Sequence, residues 1–170
     1  MARSEENRLS TKKTTPLIKE VCGVSLKEYY KRHGLKYSQK NNKGGSGNLL
    51  ETMIGIGQGS DPIDLTDGEI KTFKKGQTIA ISMIRTHIHE LVEGYSFKDS
   101  WIYNKIKQTI FVPRWEDKKD KNKTFFTNYF LWNEKTYAED FLKIEEDWNY
   151  ICEEVNKCYW TGKLMHTING

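Results

Sequence analysis

The stretch that decides the reading is Asp64-Leu65-Thr66-Asp67-Gly68-Glu69-Ile70-Lys71-Thr72-Phe73. Its first half is turn chemistry around a short strand at residues 63–65. Its second half alternates charged and apolar or β-branched residues, which predicts a strand from Glu69 to Phe73. Gly76 follows where a hairpin turn would need it, and the apolar run Thr78 to Met83 reads as the next and central strand. Thr109 to Val112, ending at Pro113, and the aromatic run Thr124 to Trp132 read as further strands.

Helices are expected on both sides of this block. Thr15 with Pro16 looks like a helix start through Leu17, Ile18 and Val21 to Gly23. Ser25 with Glu28 makes a capping box for a helix ending near Gly34. Ser46 can cap a helix with Leu49, Leu50, Met53 and Ile54 on one face, stopping at Gly55 or Gly57. A short helix fits residues 98–105. A long one fits 136–160, where Phe141, Ile144, Trp148, Ile151 and Val155 recur at three or four. Helices, a mixed sheet and a final long helix make an α/β (α+β) domain with a mixed central sheet flanked by helices. Residues 1–14 read as a flexible arm and 15–170 as the domain.

The composition narrows the field. At 170 residues, 36% hydrophobic and 12% aromatic, the chain can build one ordinary core. It has no apolar run long enough to span a membrane and no apolar N-terminal stretch of the secretory kind. Three cysteines (Cys22, Cys152 and Cys158) make an odd number without C-x-x-C spacing, which fits a reducing, cytoplasmic setting. The net charge of +4 is unevenly spread. Residues 1–43 hold eleven Lys/Arg against four Glu, a net +7, while residues 139–154 hold seven Asp/Glu against one Lys, a net −6. The basic front suggests a polyanion partner. The acidic stretch reads as the solvated outer face of a helix.

Chemistry concentrates on Asp64, Glu69 and Lys71. On a strand Glu69 and Lys71 face the same way, with Asp64 on the preceding strand one turn away. Two carboxylates and an ammonium at one sheet edge suit a hard dication such as Mg2+ and a phosphate ester beside it. The bland alternative is a charged, exposed strand face. His87 and His89 would share one side of a strand, but no third ligand stands at a recognised spacing, so they read as surface residues. The aromatic cluster Trp115, Phe125, Phe126, Tyr129 and Trp132 reads as core packing before base stacking.

Neighbouring blocks carry a resemblance. Lys43-Gly44-Gly45-Ser46-Gly47-Asn48-Leu49-Leu50-Glu51 is followed by Gly59-Ser60-Asp61-Pro62-Ile63-Asp64 and Gly68-Glu69-Ile70-Lys71-Thr72. Ser100-Trp101-Ile102-Tyr103-Asn104-Lys105-Ile106 with Ile110-Phe111-Val112-Pro113, then Glu145-Glu146-Asp147-Trp148 with Gly162-Lys163, come after in order. Over residues 15–168 the chain resembles the MutH and GATC-specific type II restriction endonuclease family, PD-(D/E)xK nucleases with a restriction-endonuclease-like fold. The resemblance implies a Mg2+-dependent endonuclease cutting double-stranded DNA at GATC. It implies metal-binding carboxylates at Asp64 and Glu69, a catalytic lysine at Lys71, a further acidic residue at Glu51 and a second basic residue at Lys105. It also implies DNA contacts from Lys43 in the loop with Gly44 and Gly45, whose glycines let backbone approach a phosphate.

Two departures stand out. The family leaves six residues between the Asp and the Glu, whereas four separate Asp64 from Glu69, so Asp61 remains a competitor for the metal. The family also continues past the E-D-W helix, so the chain reads as a fragment of a longer protein with a possible additional C-terminal domain. A mismatch-repair nicking enzyme and a catalytically silent DNA-binding module of the same family are the alternative readings.

Overall fold

A computed structural model describes residues 8–35, 45–56, 64–120 and 123–160. It is a mixed α/β structure with a partly antiparallel sheet flanked by helices. Two compact units form, Met1–Ile79 with Gln108–Trp132 and Ala80–Lys107 with Asn133–Gly170.

The first unit begins with α1 (Thr11–Val21), α2 (Leu26–Arg32) and α3 (Gly45–Met53). The Ser25 side chain accepts a hydrogen bond from the Glu28 N–H at 3.2 Å, so the capping serine of α2 stands where the sequence places it. Past the end of α3, Gly55 takes φ +76, a conformation that costs a side chain but not glycine. The start of α1 differs from expectation. Ser10, not Thr15, is its N-cap, and Pro16 lies inside the helix. The Thr11 N–H and hydroxyl both donate to Asp67 Oδ1 at 2.7 Å, so a residue far along the chain fixes where α1 begins. Thr11 and Thr14 are buried, so helix and core reach back into the expected arm.

Among the described residues four strands form one sheet: β1 (Glu69–Lys74), β2 (Gln108–Trp115), β3 (Phe125–Phe126) and β4 (Phe130–Asn133). β2 pairs with β1 in parallel, Glu69 opposite Thr109 and Lys71 opposite Phe111. β2 pairs with β3 antiparallel and also with β4. Ile70, Ile110 and Val112 share one face and join Ile18, Leu26, Leu50 and Phe126 in the core cluster. Glu69 and Lys71 therefore stand on the other face.

Four strand expectations change. Residues 77–83 form no strand, and most of them are exposed. β1 meets β2, some forty residues later in the chain, instead of a hairpin partner. Gly76 does turn the chain, at φ +84, but the Lys75 N–H bonds the Arg114 carbonyl of β2 at 2.9 Å. The run 124–132 splits into β3 and β4, because the Thr127 N–H and hydroxyl turn onto the Pro113 carbonyl. Asp64 and Leu65 lie in a bend, and residue 63 of the expected short strand is outside the described residues.

Apart from Asn133, where β4 ends, the described residues of the second unit form helices, turns and coil. The unit holds α4 (Ile88–Val92), α5 (Trp101–Ile106) and α6 (Ala138–Trp160), with single turns at Ile84–His87 and Phe97–Asp99. Leu91, Phe97, Phe141, Trp148 and Cys152 are buried. The long periodic segment is α6, with Phe141 and Trp148 inward at seven-residue spacing. His87 and His89 lie in a helical turn and α4, not on a strand. His87 stacks on Trp101 and pairs with Glu90 at 3.3 Å.

Candidate active site

β1 is the edge of the sheet among the described strands, and its outward backbone groups need partners. The bend before it supplies them. Asp64 Oδ2 accepts the Ile70 N–H at 3.1 Å, and Glu69 Oε2 accepts the Asp64 N–H at 3.3 Å. The two acidic residues are thus interlocked, each holding the backbone of the other's neighbourhood. Lys71 Nζ lies 2.9 Å from Glu69 Oε1. The Glu69 side chain is 3% exposed and that of Lys71 is 27% exposed, so a buried carboxylate carries its countercharge toward solvent.

The bend is itself tied down. The Leu65 N–H bonds the Gly68 carbonyl at 2.9 Å, and Thr66 N–H bonds the Leu9 carbonyl at 3.0 Å. Arg8 donates to the Leu65 carbonyl at 2.6 Å. Gln108, the first residue of β2, donates from its side chain to Thr11 Oγ1 at 2.8 Å. At Gly68 a Cβ would come within 2.5 Å of the Gln108 carbonyl oxygen. Strand and bend approach so closely there that only glycine fits. Asp67 and Gly68 are site-building residues to which the sequence reading gave no role of their own, although the Asp-Gly turn pair was their signal.

Glu51 stands on α3, one helical turn after Gly47, where a Cβ would lie 3.9 Å from Thr72 Oγ1. Ser46 Oγ and Thr72 Oγ1 are 3.0 Å apart, so the start of α3 is pinned to β1. Among the described residues no three His, Cys, Asp or Glu side chains gather closely enough to hold a metal. Gly45 opens α3, whereas Lys43, Gly44 and Asp61 lie outside the described residues. Lys105 belongs to α5 of the second unit, with Nζ 5.0 Å from the Trp101 ring centre.

Two carboxylates are a donor set that fits a hard dication. Mg2+ takes one or two carboxylates from protein and completes its shell with water and substrate oxygens. Asp64 and Glu69 would be the residues to hold it. In the expected aromatic cluster, Phe126 is core, while Trp115 is exposed and lies 5.4 Å from the Phe125 ring centre. No described helix is long and apolar enough to cross a membrane. No family model matches the chain, and no curated protein does either.

Proposed function

We propose that this chain is a Mg2+-dependent endonuclease that hydrolyses phosphodiester bonds in double-stranded DNA, with a restriction-endonuclease-like fold and GATC as its site. The observation that carries the reading is the interlocked Asp64 and Glu69 with Lys71 2.9 Å from Glu69. The ordered sequence blocks of the MutH-like family support it further. A dication bound there supplies charge neutralisation and a water of lowered pKa. The chain's own groups do the rest. The two acids concentrate negative charge on one edge, and backbone N–H groups orient their oxygens. Lys71 offsets that charge and offers an ammonium, directed toward solvent, to a scissile phosphate.

The test is incubation of the chain with supercoiled plasmid bearing GATC, with Mg2+ and with chelator. Linear product marks a restriction-type double-strand cut, and open circles alone mark nicking. Lys71→Ala is expected to lower the rate by about 100-fold or more while the fold persists. Parallel Asp61→Ala and Asp64→Ala variants identify the metal-binding aspartate. Binding of GATC duplex without any cutting would remove the enzyme reading and leave the silent DNA-binding module.

A further inference from the structure

The acidic stretch of α6 has a register that solvation alone does not call for. Asp140, Ile144, Asp147, Ile151, Glu154 and Cys158 follow one another at alternating steps of four and three. That is a heptad seam, with an apolar residue at one seam position and an acid at the other. The seam runs about 27 Å along the helix, enough for a partner helix of about three heptads. It is a different stripe from the one that packs inward through Phe141, Trp148 and Cys152.

Beside the seam lies a cavity of about 250 Å3 walled by Ile84, Trp101, Ile144, Trp148 and Ile151. Ile84 is 58% exposed and Ile151 40% exposed, so the mouth is apolar and open. Its wall is held in shape. Trp101 stacks on His87 with ring centres 4.4 Å apart, and its Nε1 donates to Ser82 Oγ at 2.8 Å. The Trp101 N–H donates to Glu90 Oε2 at 2.7 Å, and the Trp148 Nε1 donates to the Tyr95 carbonyl at 2.8 Å. Asp140 and Asp147 are exposed and form no ion pair among the described residues. Among the described residues Glu154 pairs with exposed Lys157, a contact that costs little to exchange.

We infer that this seam and cavity dock a basic amphipathic helix of a protein partner, with apolar anchors seven residues apart and Lys or Arg at the facing seam position. Charge selects the occupant. A phosphate backbone is repelled by the row Asp140, Asp147 and Glu154. A second copy laid on the same seam sets acid against acid. A helix with Leu at one seam position and Lys at the other fills the cavity and neutralises the row. The docking surface does not depend on the nuclease reading.

The probe is a synthetic three-heptad peptide with Leu and Lys at the two seam positions. It is titrated into the full chain and followed by tryptophan emission and by sedimentation. Saturable one-to-one binding is expected, weakened tenfold or more by Asp147→Lys and by Ile151→Ser. Binding to the Asp147→Lys protein is expected to recover when the peptide carries Glu in place of Lys. Both substituted positions are exposed, and circular dichroism checks that the helices remain. The inference is overturned if no saturable binding occurs or if a scrambled peptide binds equally well. It is also overturned if both substitutions leave binding unchanged, or if sedimentation shows self-association that Ile151→Ser abolishes.

Discussion

Gly68→Ala is the sharpest test of how the fold builds the acidic site. The new methyl would sit 2.5 Å from the Gln108 carbonyl oxygen, 3.2 Å from its Cγ and 3.3 Å from its carbonyl carbon. Non-bonded heavy atoms rest about 3.5 Å apart or more, so the methyl intrudes by about 1 Å. Two of the three obstructing atoms are backbone, and no rotamer relieves them. The start of β1 must move away from β2. Overpacking of this kind costs about 1–3 kcal/mol. With a urea slope of about 2 kcal/mol per molar, the unfolding midpoint falls by about 1 M. The displacement also enters the site directly, because Gly68 precedes Glu69 and its carbonyl closes the bend at Leu65. A shift near 1 Å in a reacting constellation costs about 100-fold in rate. Gly76→Ala is the control. Nothing lies within 4 Å of its Cβ position, and only its φ of +84 opposes a side chain. It should lose about 1 kcal/mol with DNA cleavage unchanged. Urea unfolding followed by tryptophan emission reads the stability, and plasmid cleavage reads the rate. If Gly68→Ala matches wild type in both, the close approach of bend and strand does not position Glu69.

Three further outcomes are expected. Asp67→Ala removes the acceptor of both Thr11 hydrogen bonds and should cost about 1 kcal/mol in urea unfolding, as loss of a helix cap does. Leu50→Ala empties a fully buried site in the first unit's core and should cost about 2–5 kcal/mol by the same measurement. The Glu116 carboxyl is held below its ordinary value of 4.5, first by a hydrogen bond from Lys74 and then by the charge of Arg114. The folded state thus releases that proton more readily than the unfolded chain. The pair stabilises the fold above about pH 4.5 and loses its effect as pH falls through the lowered value. Glu116→Gln should therefore be less stable than wild type at pH 7, with the two converging in acid; a gap that persists in acid would refute this origin.

The parts legible in sequence are those with local causes. Ser25 caps α2 because its hydroxyl reaches an N–H three residues on. Gly55 ends the α3 region because only glycine takes φ +76 at no cost. The core face of α3 follows from side chains repeating every turn, whereas in α6 Phe141 and Trp148 turn inward and Ile151 of the same periodic set is 40% exposed. Glu69 and Lys71 share a face because strand side chains alternate.

The misread parts have distant causes. Thr78 to Met83 is as apolar as a central strand, but apolarity cannot supply a partner. Along β1, the Ile70 N–H is taken by Asp64 and the paired side by β2. α1 starts at Thr11 because Asp67, fifty-six residues later, meets its first N–H.

The sequence by itself determined α2, α3 and α6, the β1 strand and the identity of the charged groups at its start. Those are matters of periodicity, capping and residue chemistry within a few positions. Only the tertiary structure decided that β1 pairs in parallel with β2, that Asp64 accepts the Ile70 N–H while Glu69 accepts the Asp64 N–H, and that Asp67 meets the start of α1. Each of those depends on which distant backbone groups remain to be satisfied once the chain has folded, and no local pattern records that.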